Sequence, residues 1–335
     1  MINTLIVDDS PVVRKILRDF LEGEGSFKII GEAENGVEGV DMAKQLRPDL
    51  VTMDFEMPLM NGLEAIIEIR KFSECGIVVI SSHDTARMAY EATANGAHEF
   101  FAKNIFTSQI TDMQRNNVIS TLKHITNIKK NIVTLNNKET ETCAVKGKVN
   151  CIVIASSTGG PMALSQLCSG LPETFNVPIL LVQHNTSGFD KGFVQWLDEY
   201  AKLKVRLADN GIFPCSGHIY VAPTDKHLII GSGGLVLDDG NPLNNQKPAA
   251  DILFKSAAQH FGSSLASVVL TGMGSDGAEG TIAVKKAGGI TISQDASTSM
   301  IYGMPEAAYN TGCVDMVLPL NKIAGKLLEL SGGGT

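Results

Sequence analysis

Two sets of residues in this chain combine the types and spacings that chemistry needs. The first is acidic. Asp8 and Asp9 follow the apolar run Thr4–Val7, and Asp54 closes the run Leu50–Asp54. Ser81 ends a third run, Ile77–Ser81, and Lys103 lies just beyond a fourth, Glu99–Phe101. If these runs are neighbouring parallel strands, the three carboxylates converge at one edge of the sheet. Like charges held that close need a counter-charge to remain ionised. A hard divalent cation with oxygen ligands, Mg²⁺ for preference, supplies one, and Lys103 a second. An aspartate beside such a cation and a lysine can attack a phosphoryl donor, because both neutralise the charge that develops. Taken singly, Asp8-Asp9 reads as a cap for the helix starting near Pro11, and Asp54 and Lys103 as solvated loop charges. Gathered at four strand ends, they read as a site.

The second set is Ser157, His184 and Asp276. Ser157 lies in Ala155-Ser-Ser-Thr-Gly-Gly160, between an apolar run and a helical period. A small residue two before it and a glycine two after it give the spacing of a nucleophile elbow. The helix N-terminus behind it favours developing negative charge. By itself this segment reads more readily as an anion-binding loop or a serine cap. A serine hydroxyl needs a base, and His184 ends the strongly apolar Ile179-Leu-Leu-Val-Gln183 on the same presumed sheet edge. His218, His227 and His260 fall near a hairpin or on a helix, and His83, His98 and His124 belong to the first part of the chain. A base needs an orienting carboxylate. Asp276 sits in Leu270-Thr-Gly-Met-Gly-Ser-Asp-Gly277, a glycine-rich strand-to-helix turn; the competing view is that it caps the following helix. Asp251, Asp295 and Asp315 occupy no such turn. The order Ser157…His184…Asp276 differs from the Ser…Asp…His order of α/β-hydrolases, so nothing is carried over from that fold.

The elements that must position these residues follow from the alternation of apolar runs and helical periods. Strands are expected at Thr4–Val7, Lys28–Ala33, Leu50–Asp54, Ile77–Ser81 and Glu99–Phe101, with amphipathic helices between them. This pattern predicts an α/β fold with an N-terminal five-stranded, doubly wound parallel sheet. Residues 121–148, rich in Asn, Lys, Thr and Glu towards their end, are expected to be a linker, helical at its start. From residue 149 the βα rhythm restarts. It predicts a second doubly wound, mostly parallel sheet with an antiparallel hairpin around Gly231-Ser-Gly-Gly234.

Composition sets the outer bounds. The 335 residues are 44% hydrophobic and 19% charged, which suits two packed cores. A formal charge of −8 argues against a dedicated nucleic-acid binder. No apolar run reaches the roughly 18–20 residues that span a bilayer. The six cysteines are scattered without a CxxC, so a reducing cytoplasm is expected rather than a disulfide framework or zinc site.

The acidic set, with Val51-Thr-Met-Asp-Phe-Glu-Met-Pro58 and Gly62, resembles a response-regulator receiver domain over residues 1–120. The resemblance implies phosphorylation of Asp54 by a histidine kinase, and Mg²⁺ held by Asp9, Asp54 and the Glu56 carbonyl, with Asp8 acting through water. It further implies that Ser81 and Lys103 support the phosphoryl group and that Phe100 is the aromatic that changes rotamer. One departure is Asn104, where receivers carry proline after the lysine. Residues 149–335 carry Ser156-Ser-Thr-Gly-Gly160, Val182-Gln-His184, Gly217-His-Ile-Tyr-Val-Ala-Pro223, Lys247-Pro248 with Asp251, Leu270–Gly277 and Gly303-Met-Pro305. Together with the receiver set they resemble the chemotaxis protein-glutamate methylesterase (CheB) family across the whole chain. That resemblance implies Ser157 as nucleophile, His184 as base, Asp276 as its aspartate, and the Met273 backbone N–H as an oxyanion contact. It implies methylated chemoreceptor helices as substrate, no metal at the esterase centre, and regulation by the receiver. Two rivals are a phosphorylation-dependent adaptor with a vestigial triad and a DNA-binding response regulator. The intact Ser157, His184 and Asp276 disfavour the first, and the charge and glycine-rich output disfavour the second.

Overall fold

A computed structural model describes residues 1–81, 86–106, 110–127 and 149–332. The chain divides into two units, one within Met1–Ile132 and one within Val133–Thr335.

The first unit runs β1 (Ile2–Val7), α1 (Pro11–Glu22), β2 (Phe27–Ala33), α2 (Gly36–Leu46), β3 (Leu50–Asp54), α3 (Gly62–Arg70), β4 (Gly76–Ser81), α4 (Ala86–Ala94), β5 (Glu99–Ala102) and α5 (Asp112–Asn127). A one-turn 3₁₀ helix, Lys103–Phe106, follows β5. The strands lie in the order β2-β1-β3-β4-β5, all parallel. β3 is buried along its whole length, as expected of a strand covered by helices on both faces. Helix starts are set by side chains: Ser10 caps α1 ahead of Pro11, and Asn61 and Glu64 form a capping box on α3. Strand order reverses between β1 and β3, so a crevice opens at their carboxyl ends. Residues 121–127, at the start of the expected linker, are helical and complete α5. Val118, Ile119, Leu122 and Ile125 recur at helical spacing and join the core that holds Leu50, Val78, Ile80 and Phe106. The polar residues between them disguise that stripe in the sequence.

The second unit runs β6 (Cys151–Ser156), α6 (Gly160–Ser169), β7 (Ile179–Gln183), α7 (Asp190–Tyr200), β8 (Lys204–Leu207), β9 (His218–Val221), β10 (His227–Gly231), β11 (Gly234–Asp238), α8 (Ala250–Phe261), β12 (Leu265–Val269), α9 (Ala278–Lys286), β13 (Ile290–Gln294), α10 (Met304–Asn310), β14 (Met316–Leu318) and α11 (Leu320–Leu330). Seven strands form one parallel sheet, ordered β14-β13-β12-β6-β7-β9-β8, and β10-β11 is an antiparallel hairpin apart from it. The three central strands β12, β6 and β7 are wholly buried. β6 is the switch point: β7 pairs on one side of it and β12 on the other. β8, α10 and α11 carry no expectation from the sequence. β8 is a short edge strand, and α10 opens on Met304-Pro305, where proline reads as a turn but serves as the first helical turn.

α8 and α9 pack at a distance that only glycine permits. A Cβ on Gly280 of α9 would stand 2.5 Å from Phe254 Cβ of α8. Gly280→Ala is therefore expected to push the two helices apart and to destabilise the second unit by about 1–3 kcal/mol. Urea unfolding followed by circular dichroism measures this; an unchanged midpoint would show that the pair has room to separate.

Candidate functional site

The crevice of the first unit gathers the acidic set. Val7 pairs with Met53, so Asp8 and Asp54 follow each other across adjacent strands. Carboxylate oxygens of Asp8, Asp9 and Asp54 all lie within 4.8 Å of one another. Asp8 and Asp54 are buried and Asp9 is exposed. Lys103 Nζ is 2.8 Å from Asp54 Oδ2 and 3.2 Å from Asp8 Oδ2. Asp8 is not a helix cap: its Oδ1 accepts from Ser10 N at 2.9 Å, and Ser10 itself caps α1. Buried Arg14 donates to the carbonyls of Asp8 (2.8 Å) and Asp9 (3.3 Å) and holds that turn.

Burial pushes the Asp54 carboxyl up to about 6; the Lys103 hydrogen bond and charge oppose the rise, and the Asp8 charge adds to it. Burial likewise raises Asp8. Burial works against the Lys103 ammonium, yet Asp54 and Asp8 outweigh it and hold its pKa above the ordinary value. Asp8 Oδ2 is buried and, despite its ion pair with Lys103, accepts no hydrogen bond. Three carboxylates with one such oxygen suit a hard divalent cation. Glu56 is exposed, two residues past Asp54. Phe100 is buried edge-to-face on Tyr90, with ring centroids 4.7 Å apart. Ser81 ends β4 in register with Ala102, and its side chain lies outside the described residues. The only cis peptide bond among the described residues is Lys247-Pro248, so Lys103-Asn104 is trans.

In the second unit three neighbouring strands deliver the other set. Ser156 pairs with Gln183, and His184 N donates to Ser156 O at 3.0 Å, which sets Ser157 and His184 side by side at the ends of β6 and β7. On the other flank, Ser157 N donates to Thr271 O at 3.0 Å. Thr271 Oγ1 donates to Thr158 O (3.0 Å) and accepts from Ile301 N (2.9 Å), joining the turns after β12 and β13 to the serine turn. The close approach needs Gly272, because a Cβ there would come within 2.7 Å of Ser157 Cβ. Ser157 does not cap α6; that position is Gly159, with φ 74°. Met273 lies between Gly272 and Gly274, and its N–H meets no acceptor among the described residues.

His184 Nε2 is 2.8 Å from Asp276 Oδ2. Its Nδ1 is buried with no hydrogen-bond partner. Asp276 does not reach α9 as a side-chain cap. Its Oδ2 accepts from Ala250 N (2.7 Å), and its Oδ1 from Asp251 N (2.9 Å) and Gly277 N (3.0 Å). Burial pushes the Asp276 carboxyl up, but the hydrogen bond and charge of His184 and the N–H groups of Asp251 and Ala250 outweigh it and hold it below the ordinary value. The start of α9 is served instead by Asp251, whose Oδ1 accepts from Gly277 N (3.0 Å) and Gly280 N (2.7 Å).

An ionised Asp276 leaves His184 Nε2 as the donor and Nδ1 as the free basic nitrogen. The arrangement is one that can activate a hydroxyl for acyl transfer. Residues 152–327 match the CheB methylesterase family model, and residues 4–115 match the response regulator receiver domain. The chain belongs to the CheB methylesterase family. It is 37% identical to the protein-glutamate methylesterase/protein-glutamine glutaminase of Pyrococcus abyssi, across 99% of this chain and 95% of that one. It is 36% identical to the protein of the same name from Thermotoga maritima, across 98% of each. The crystal structure of the Thermotoga maritima CheB methylesterase catalytic domain aligns with a TM-score of 0.53 at 39% identity, covering 55% of this chain and all of that one.

The Asp54 site carries a pH dependence that can be measured without metal. Its folded pKa, about 6, lies above the usual carboxylate value, so the folded state holds the proton more tightly. Its contribution to stability is present below pH ~4 and is lost as pH rises to about 6. In chelator at pH 7, Asp54→Asn is expected to stabilise the first unit by on the order of 1–3 kcal/mol and to flatten that pH slope. Denaturant melts from pH 4 to 8 read both; a slope that survives in the variant would place the burial cost elsewhere.

Proposed function

We propose that this chain removes methyl groups from glutamate γ-methyl esters on the cytoplasmic helices of chemoreceptors, and that phosphorylation of Asp54 by a histidine kinase governs the rate. The observation that carries the reading is the imidazole of His184. One nitrogen is locked to a buried carboxylate, and the other is buried, unpartnered and one residue past the strand that pairs with the Ser157 strand.

Ser157 Oγ attacks the ester carbonyl while His184 Nδ1 takes its proton. The resulting oxyanion is received by the Met273 N–H, a donor worth about 3–4 kcal/mol when aimed at developing charge. Methoxide is a poor leaving group, so His184 returns the proton and methanol departs. Water then attacks the glutamyl-enzyme by the same route, restoring Ser157 and releasing the glutamate carboxylate. Asp276 keeps the imidazole tautomer and stabilises the imidazolium. A glutamine side chain would pass through the same acyl-enzyme with loss of ammonia, which is the second activity in the names of the relatives.

In the first unit Asp54 accepts the phosphoryl group. Mg²⁺ would be held by Asp9, Asp54 and the Glu56 carbonyl, with Asp8 through water, and would neutralise charge on the transferring phosphoryl. Lys103 and Ser81 bind the phosphoryl oxygens, and Phe100 responds by a change of rotamer. Among the described residues no helix is long and apolar enough to cross a membrane, and the described cysteines are free thiols. Both support action in the cytoplasm.

Methanol release from methylated receptor tests the reading. Ser157→Ala is expected to lower the rate by at least about 10³-fold. A small-molecule phosphodonor is expected to raise the wild-type rate and to leave Asp54→Asn unchanged. Full activity in Ser157→Ala would overturn the esterase assignment, and equal stimulation of Asp54→Asn would overturn the regulatory one.

A further inference from the structure

Gln183 is the last residue of β7 and is 2% exposed. Every hydrogen-bonding atom of its amide is engaged at the esterase centre. Nε2 donates to Ser157 O and to His184 O, each at 3.0 Å. Oε1 accepts from the Ser156 hydroxyl at 2.7 Å. Two carbonyl acceptors on one side require the NH₂ group there, so the amide has one orientation only. Ser156 is fully buried and its hydroxyl faces this amide, which leaves Ser157 as the serine open to attack on an ester. Room for the amide is made by Gly160. A Cβ there would stand 2.0 Å from Gln183 Oε1 and 2.9 Å from Ser156 Cβ.

The main-chain ladder between β6 and β7 ends at the bond from His184 N to Ser156 O. Among the described residues no backbone hydrogen bond joins Ser157 directly to His184. The Gln183 NH₂ group supplies that link one residue beyond the sheet. We propose that Gln183 is a positioning residue of the esterase centre: its amide pins the carbonyls of the nucleophile's and the base's residues and so sets the spacing of Ser157 and His184, while Ser156 locks the amide in place. The inference rests on the assignment of Ser157 and His184 as nucleophile and base, and adds what fixes the distance between them. Proton transfer between such groups tolerates little misplacement; an error near 1 Å costs about 10²-fold.

The test uses the full chain with methylated receptor, rates being expressed per folded molecule by circular dichroism. Gln183→Met keeps the length and removes the donors. Gln183→Glu keeps the shape and turns an oxygen towards two carbonyls. Both are expected to lower kcat by about 10–100-fold with KM changed less than about two-fold. Labelling of Ser157 by a fluorophosphonate is expected to slow in parallel. A kcat per folded molecule equal to wild type, or a loss confined to KM, would overturn the proposal. If the Gln183 variants do not fold, Ser156→Ala decides. A kcat loss of about 3–10-fold at constant KM supports the lock, and an unchanged kcat overturns it. Ser157→Ala in the same assay keeps the two questions apart, because its retention of activity and labelling would remove the nucleophile assignment itself.

Discussion

The carboxylate of Asp276 takes four hydrogen bonds, three from backbone N–H groups and one from an imidazole. A buried charge is costly unless its lone pairs are satisfied. Here they are satisfied by the N-terminus of α8, by the Gly277 N–H that follows in the chain, and by the histidine just past the end of β7. Asp251, in the first turn of α8, gives its own carboxylate to the start of α9. Each helix start thus receives an anion from the segment that the other helix fixes, with the helix dipoles favouring both. Burial and the charge of Asp276 together push the Asp251 carboxyl upward, while the Gly280 and Gly277 N–H groups oppose the rise. This interlock holds the turn after β12 against α8, and it decides which imidazole nitrogen is left over.

Everything else around Ser157, His184 and Asp276 is a matter of bringing strand ends together. β12, β6 and β7 are neighbours in a parallel sheet, so their following turns emerge on one edge. Packing there is too close for side chains at several positions: Gly272 against Ser157, Gly303 against Gly272 O at 2.7 Å, and Gly160 against Gln183. The glycine-rich motifs are therefore as much about admitting neighbouring side chains and backbone close to the chain as about turn geometry. The first unit uses the same edge of a parallel sheet, with β1, β3 and β5 delivering Asp8, Asp54 and Lys103 to one crevice.

Much of this is legible before folding. The continuous apolar runs mark the buried parallel strands because helices cover both faces of each sheet. A chemically distinctive residue directly after such a run falls at the functional edge by topology alone. What the sequence hides is what depends on backbone hydrogen bonds between distant segments. Asp251 stands on a helix, 25 residues from Asp276, and no periodicity ties it to that turn. Gln183 is equally silent: a glutamine beside a histidine states nothing about two carbonyls on separate strands. The stripe of α5 is diluted for a different reason, since Ser120, Thr121, Lys123 and His124 stand between its four apolar residues.

The two clusters meet one physical cost, burial of a carboxylate, in opposite ways. Asp54 and Asp276 are both almost inaccessible. Asp54 has the Phe55 N–H on one oxygen and the Lys103 ammonium on the other, with the Asp8 charge close by. A carboxylate can accept about four hydrogen bonds, so lone pairs on Asp54 remain for a cation or a phosphoryl group, and its proton affinity is high. Asp276 has no lone pair left over. It cannot act as a nucleophile or as a metal ligand without giving up one of the four bonds that hold α8, Gly277 and His184. The number of donors aimed at each group, rather than its depth, separates a carboxylate with lone pairs to spare from one whose lone pairs are all engaged in holding its neighbours.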